Sequence, residues 1–189
     1  MVDAPRWLNR DEQRTWRAFL DATQLLFEQL DHELQRDAAI PHGYYEILVR
    51  LSEAPDRTLR MSQLAERSQS SRSRISHAVA RLEETGWIRR ETCPTDRRGA
   101  LAVLTDEGMA ALAGAAPGHV QGVRSHLFDQ LTPEQVGQLG AISEAVRDHL
   151  RRFREEERAA GRCPAPSDDL VTADGAGDAA AVRPAPAGG

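Results

Sequence analysis

Apolar residues along the chain return every three or four positions in its outer parts and more nearly every second position in one stretch of its middle. The first outer stretch, LNRDEQRTWRAFLDATQLLFEQLDHELQRDA, begins with Asn9 and Glu12 at the spacing of a capping box, in which two side chains reciprocally satisfy the N–H groups of a helix start. Trp16, Phe19, Leu20, Thr23, Leu26, Phe27, Leu30 and Leu34 then make one stripe. The spacing predicts a helix from Asp11 to Arg36, ~39 Å long at 1.5 Å per residue. That is long for a small domain unless another chain covers it. Pro41 restarts the chain, and HGYYEILVRLSEAP predicts a short helix burying Tyr44 or Tyr45, Ile47, Leu48 and Leu51, closed by a turn at Pro55 and Asp56.

In the middle, Leu59 and Met61 read as a short strand or lead-in, and Leu64 and Ala65 mark a short helix broken at SQSS. Ser71 is a good N-cap for a second helix that buries Ile75, Ala78, Val79 and Leu82 and stops at Gly86. Two short helices with a tight polar connection make a helix-turn-helix. WIRRET and ALAVLT then flank CPTDRRG, two strand-like runs around a turn, so a hairpin, or wing, follows directly. Beyond it, Thr105 caps a helix carrying Gly114, Pro117 and Gly118, for which a kink near Pro117 is expected. Thr132, Pro133 and Gln135 start a last helix whose stripe is Val136, Leu139, Ile142, Val146 and Leu150. From Cys163 to Gly189, 16 of 27 residues are Ala, Gly or Pro, a composition that predicts a disordered tail. The expected fold is mainly α with a small β-hairpin: a winged helix-turn-helix over 41–104, helical regions over 7–40 and 105–160, and a tail over 163–189.

Composition narrows the class. A chain of 189 residues, 40% of them hydrophobic, suffices for one domain with a sizeable core or for two small lobes. No run reaches the 18 or so apolar residues of a membrane span, and MVDAPRWLNRDEQR has no signal-peptide core. Two cysteines, Cys93 and Cys163, cannot build a disulfide framework. A cytoplasmic, reduced protein with no membrane partner is the expectation. All 24 basic residues are arginines, and their distribution is uneven. Between Arg57 and Arg98 there are ten against five carboxylates, a local charge of +5; the chain as a whole is −5, so the remainder carries −10. A basic middle in an acidic body is the footprint of a polyanion-binding surface.

The leading residues of a recognition helix enter the major groove, so they must be small and polar or arginine. Ser70, Ser71, Arg72, Ser73, Arg74, Ser76 and His77 meet that requirement. Arginine forks onto guanine O6 and N7, and serine reaches phosphate or a base edge. Arg97 and Arg98 at the hairpin suit the narrow, electronegative minor groove, with Asp96 orienting Arg98. Enzymatic motifs are missing: there is no P-loop, Gly-rich dinucleotide loop, C-x-x-C or H-E-x-x-H, and no cofactor is expected. His119 and His126 lack the further ligands zinc needs and read as surface histidines, so no metal is expected either.

Over roughly Trp7 to Phe153 the order of elements resembles the MarR family of winged-helix transcriptional regulators, which are not enzymes. TDRRGALAVLTDEG follows that family's D-x-R wing and strand pattern, and MSQLAERSQSSRSRISHAVARLEETGWIRRE its helix-turn-helix and following strand. The resemblance implies that Asp96 and Arg98 are the D-x-R pair, with Arg98 the minor-groove residue and Arg97 the variable position between them. It also implies a homodimer built from the first and last two helices, acting on double-stranded DNA, usually as a repressor relieved by a small anionic or phenolic effector or by cysteine oxidation. A ligand pocket is expected where the first two helices meet the DNA-binding lobe, with Trp16, His42, Tyr44, Tyr45 and Arg50 as its candidates. The family's peroxide-sensing cysteine near the start of the first helix has no counterpart here. Cys93, read as a thiol at the wing's base, exposed or half-buried, is the one candidate for a redox role. The alternative from another class is a winged helix whose basic face serves as a protein-interaction module.

Overall fold

The computed structural model describes residues 5–93 and 96–161. Its first helix, α1 (Arg10–Ala38), begins on the capping box: Asn9 Oδ1 accepts from the N–H groups of Asp11 and Glu12, and Glu12 Oε2 accepts from that of Asn9. It ends where Ala39 turns left-handed at φ 55° and the N–H of Ile40 reaches back to the Leu34 carbonyl, ahead of a proline that cannot continue the helix. Then follow α2 (His42–Ser52), a 3-10 turn (Pro55–Arg57), β1 (Thr58–Arg60), α3 (Met61–Arg67), α4 (Arg72–Glu84), β2 (Ile88–Cys93), β3 (Asp96–Leu104), α5 (Asp106–His126), a second 3-10 turn (Phe128–Gln130) and α6 (Pro133–Ala159). The fold is mainly helical with one small antiparallel sheet, as expected.

The sheet has the order β1-β3-β2, with Leu59 opposite Ala102 and Ile88 opposite Leu104. Its inner face, together with α2, α3 and α4, encloses Leu48, Leu51, Leu64, Val79, Leu82, Ile88 and Ala102. Leu34, Ile40, Leu112 and Ala115 extend the same core into α1 and α5. Burying each leucine, isoleucine or valine of this set stabilises by ~1.5–3 kcal/mol, and the one continuous cluster packs the winged helix and the base of the long helices as one unit. Of the two tyrosines, Tyr45 is buried and Tyr44 half-buried; Ala78 on α4 is half-buried as well.

Two glycines permit close approaches. At Gly108 a Cβ would collide with the Trp87 carbonyl and the Leu104 side chain, so the start of α5 sits directly on the α4–β2 turn. At Gly122 a Cβ would meet Glu33 and Leu30, so α5 crosses α1 there nearly backbone to side chain. Pro117 does not divide α5, which runs as one helix from Asp106 to His126 although the proline removes one ladder donor.

Away from that crossing the long helices are bare. In α1 only Leu30 and Leu34 are buried, and α6 buries no residue. Trp16, Phe19, Leu20, Phe27, Ile142, Val146, Leu150 and Phe153 are exposed in the single chain. Among the described residues no helix is long and apolar enough to cross a membrane. The tail expected over 163–189 lies outside the described residues.

Candidate nucleic-acid interface

The connection between α3 and α4 is built without glycine. Gln69 takes φ 50°, its N–H bonds to the Glu66 carbonyl, and the N–H of Ser70 bonds to that of Ala65. This pair of bonds is a Schellman motif, which usually places glycine at the left-handed position. It ends α3 sharply and sets Ser71 as N-cap of α4, its hydroxyl accepting from the Arg74 N–H at 3.2 Å. With Ile75, Val79 and Leu82 fixed in the core, the opposite face of the first turns of α4 is turned outward. Arg72, Ser73, Ser76 and His77 are exposed there, whereas Ser70, Ser71 and Arg74 are half-buried. Arg72 makes no ion pair among the described residues, so its guanidinium is open to an external anion.

α4 closes on a second Schellman motif, with Gly86 at φ 78° and the Trp87 N–H bonded to the Leu82 carbonyl. β2 leaves that turn and carries the hairpin. The boundaries differ from the sequence-based expectation. Cys93 still belongs to β2, and Asp96, Arg97 and Arg98 belong to the backbone of β3 rather than to the turn. The register shifts between Thr92, opposite Ala100, and Cys93, opposite Asp96, which leaves Arg97, Arg98 and Gly99 as an extra run on β3. Such a bulge twists a hairpin and re-aims its side chains. The side chains of Asp96, Arg97 and Arg98 lie outside the described residues. Cys93 is buried and stands at the far end of β2, not at the base of the hairpin and not half-exposed. Burial shields the thiol from solvent and so removes the exposure that a redox role for Cys93 would need.

Four other arginines of the basic stretch are paired. Arg81 bonds Glu84 at 2.9 Å, Arg89 bonds Glu91 at 2.7 Å and Arg57 bonds Asp106 at the start of α5 at 2.9 Å. Arg90 reaches from β2 to α4: its backbone N–H donates to Glu83 Oε1, its Nε lies 3.4 Å from Glu83 Oε2, and its terminal nitrogen donates to the Ser76 carbonyl at 2.9 Å. No short-range spacing of residues signals this contact.

A second feature lies where α2 meets α5. His42, Tyr45, Glu46, Val49, Arg50, Glu53 and His119 line a cavity of about 200 Å³. The structure thus brings together His42, Tyr45 and Arg50 of the expected pocket but not Trp16 or Tyr44. His119 was expected at the surface and is instead half-buried, its ring 4.5 Å from that of Tyr45 and 5.5 Å from that of His42. Burial, then the neighbouring His42, holds its pKa below the usual imidazole value. His119 Nδ1 and Arg50 Nε are buried without a hydrogen-bond partner. His126 is likewise engaged, 2.7 Å from Glu33 across the α1–α5 crossing. No group of three or more metal-ligating side chains occurs among the described residues.

A tri-helical core with a β-hairpin behind its second short helix defines the winged helix-turn-helix class. Comparison with known proteins narrows it. The MarR family model matches residues 40–99. The chain is 55% identical to Sco3205 of Streptomyces coelicolor, a MarR family transcriptional regulator whose structure is of a complex with DNA, covering 78% of this chain and 92% of that one at a TM-score of 0.75. It is 42% identical to AbsC of the same organism, covering 78% and 99% at a TM-score of 0.73. It is also 27% identical over 156 residues to the transcriptional repressor YetL of Bacillus subtilis, covering 75% of this chain and 93% of that protein. Matches to several other curated regulators span about half their length. The chain belongs to the MarR family and is a transcriptional regulator, not an enzyme.

Proposed function

We propose that the protein binds duplex DNA as a homodimer and represses transcription from a pseudo-palindromic operator, with a small molecule relieving repression. One observation carries this reading. The outward face of the first turns of α4 holds Arg72, Ser73, Ser76 and His77, exposed and polar, on a helix whose other face is locked into the core. A rigid helix presenting such side chains suits the major groove. The hairpin beside it bears Arg97 and Arg98 on β3, suited in residue type to the minor groove, with Asp96 to orient Arg98. The description of Sco3205 in complex with DNA and the repressor YetL support the same reading.

The homodimer would be built from 7–40 and 105–160, around the winged helix at 41–104. Its support is the apolar stripe of α6, where Ile142, Val146, Leu150 and Phe153 are exposed. Single chains rarely leave so large a patch in water. A repressor of this kind works beside the nucleoid, in the cytoplasm. The effector would enter the cavity at His42, Tyr45, Arg50 and His119, whose two unpartnered nitrogens await a polar ligand.

The test is a mobility-shift titration of the purified protein with random duplex DNA at two salt concentrations, followed by sequencing of the DNA it selects. Binding that weakens steeply with salt, and a selected sequence with two-fold symmetry, are expected. No shift on any duplex would remove the DNA reading and leave the basic face to an acidic protein partner.

A further inference from the structure

The proposed reading needs two parts to meet one duplex together: the start of α4 and the hairpin carrying Arg98. Their covalent link is the turn Thr85–Trp87, held at its base by the Trp87–Leu82 backbone bond and by the Thr105 hydroxyl donating to the Gly86 carbonyl. Ile88 and Leu104 in the shared core fix the base of the sheet against α4. What further sets the angle of the hairpin beyond that base is a contact farther out along both arms.

Arg90 is placed to be that contact. It lies two residues into β2, and it touches α4 at two levels: the carboxylate of Glu83 near the turn, and the Ser76 carbonyl two helical turns earlier. Seven residues of α-helix span ~10 Å, so the guanidinium lies along the helix rather than across it. Ala80 falls between Ser76 and Glu83 on the same helical face, where a longer side chain would stand in the way. The three points, Ser76, the turn and Arg90, form a closed triangle. The planar fork of arginine serves two acceptors at once, which the single ammonium of lysine does not reproduce.

We infer that Arg90 is a positioning residue, a brace between recognition helix and wing that sets the angle at which both reach one DNA duplex. The inference rests on the reading that α4 and the hairpin contact DNA. It assigns to an arginine of the basic stretch a role other than phosphate binding. It also gives Glu83, a carboxylate on the proposed DNA-binding lobe, a reason to be there despite repelling the polyanion.

The two roles differ in sign at Glu83, and that makes the experiment. Affinities of parent, Arg90→Lys, Glu83→Gln, Arg98→Ala and the two doubles with Arg98→Ala are measured on the selected operator and on a scrambled duplex. The folded fraction of each is checked by thermal melting. Electrostatics alone would have Glu83→Gln bind both duplexes more tightly with the operator preference unchanged. The brace predicts that Glu83→Gln lowers the operator-to-scrambled ratio at least threefold, and that Arg90→Lys, which keeps the charge, does the same. It further predicts that the loss from Arg98→Ala shrinks at least threefold in either background, because a wing already out of register has less to lose. A merely stabilising Arg90 would lower the melting temperature and leave the ratio and the Arg98 effect unchanged, which overturns the inference. So would Arg90→Lys binding like the parent on both duplexes. If the parent binds no DNA, the functional reading falls and the brace with it. If the parent binds and the Arg98 loss is the same in every background, the brace alone falls.

Discussion

Gly122 of α5 faces Glu33 of α1 with no room for a side chain between them: a Cβ would lie 2.5 Å from Glu33 Oε2 and 3.2 Å from Leu30 Cδ2. Gln29 and His126 both bond Glu33 Oε1 at 2.7 Å, so a carboxylate that swings Oε2 aside strains or loses those bonds. Those two hydrogen bonds, Gln29 first, also hold its pKa below the usual carboxylate value. Gly122→Ala should therefore destabilise by ~1–3 kcal/mol through overpacking, against the gain of up to about 1 kcal/mol that alanine brings to an unobstructed helix site. Urea unfolding measures it. A more stable variant would show that the crossing is looser than described.

The helix-turn-helix connection holds the opposite opportunity. Gln69 at φ 50° and Ala39 at φ 55° occupy left-handed positions with side chains that disfavour them. Gln69→Gly relieves that strain and enlarges the entropy of the unfolded chain, the first effect of order 1–2 kcal/mol and the second of order 0.5–1. A net gain of about 0.5–1 kcal/mol is expected for Gln69→Gly, and a like gain for Ala39→Gly. A fall in melting temperature for both would contradict the geometry of these caps.

His119 should make stability depend on pH. Its neighbours are His42 and Glu46 on α2 and Glu33 on α1; burial and His42 lower its pKa, and the two carboxylates oppose them. A histidine whose folded pKa is depressed binds its proton more readily when unfolded. Its contribution is present above the unfolded value near 6.5 and is lost as pH falls through that value toward the folded one. Thermal melting from pH 7.5 to 5.5 should show the parent losing stability more steeply than His119→Phe, which keeps a ring against Tyr45. Parallel curves would rule out the effect.

DNA binding should separate the two arginine sites. If Arg72 meets a base edge, Arg72→Ala costs ~1–3 kcal/mol per half-site and relaxes preference at one symmetric base pair. Arg98→Ala should weaken operator and random duplexes more evenly and flatten the salt dependence. Titrations on both duplexes at two salt concentrations decide it, and an Arg98→Ala protein indistinguishable from the parent would mean that the hairpin does not touch DNA.

The exposed stripe of α6 predicts the assembly. Ile142, Val146, Leu150 and Phe153 are 46–62% exposed in the single chain, and covering that remaining half by a second copy would stabilise by ~0.7–1.5 kcal/mol per side chain before the cost of association. Ile142→Arg should therefore convert a dimer into a lighter species in sedimentation at micromolar concentration and weaken operator binding with it. A parent that sediments as a folded monomer would remove the dimer from the proposal.

The caps of α1, α4, α5 and α6 were legible in sequence because each depends on one or two side chains a fixed distance apart: Asn9 with Glu12, Ser71, Thr105, and Thr132 with Gln135. The core face of α4 was legible for the same reason. The limits of the hairpin were not. Pro, Asp and Gly in CPTDRRG mark a turn in general, but where strand pairing resumes depends on the bulge opposite Thr92 and Cys93, which no short-range spacing encodes. The burial of His119 and the engagement of His126 were equally hidden, since both come from α1 and α2 packing on α5 from far along the chain. Pro117 does not end α5, which continues to His126 because losing one ladder donor costs less than abandoning the packing of Leu112, Ala115 and Gly122 on either side of it.

The order β1-β3-β2 leaves both outer strands of the sheet without a strand neighbour on one side, although on β2 the Arg90 N–H is taken by Glu83 of α4. An edge in water is a template on which a stray strand can crystallise, and a projecting hairpin is the most accessible template of all. Here β1 is only three residues long, and β2 carries Arg89, Arg90, Glu91 and Thr92 exposed in succession. A visiting chain would have to strip water from those charges to pair with it. The same residues that give the hairpin its basic character thus keep it from aggregating while it stands alone between encounters.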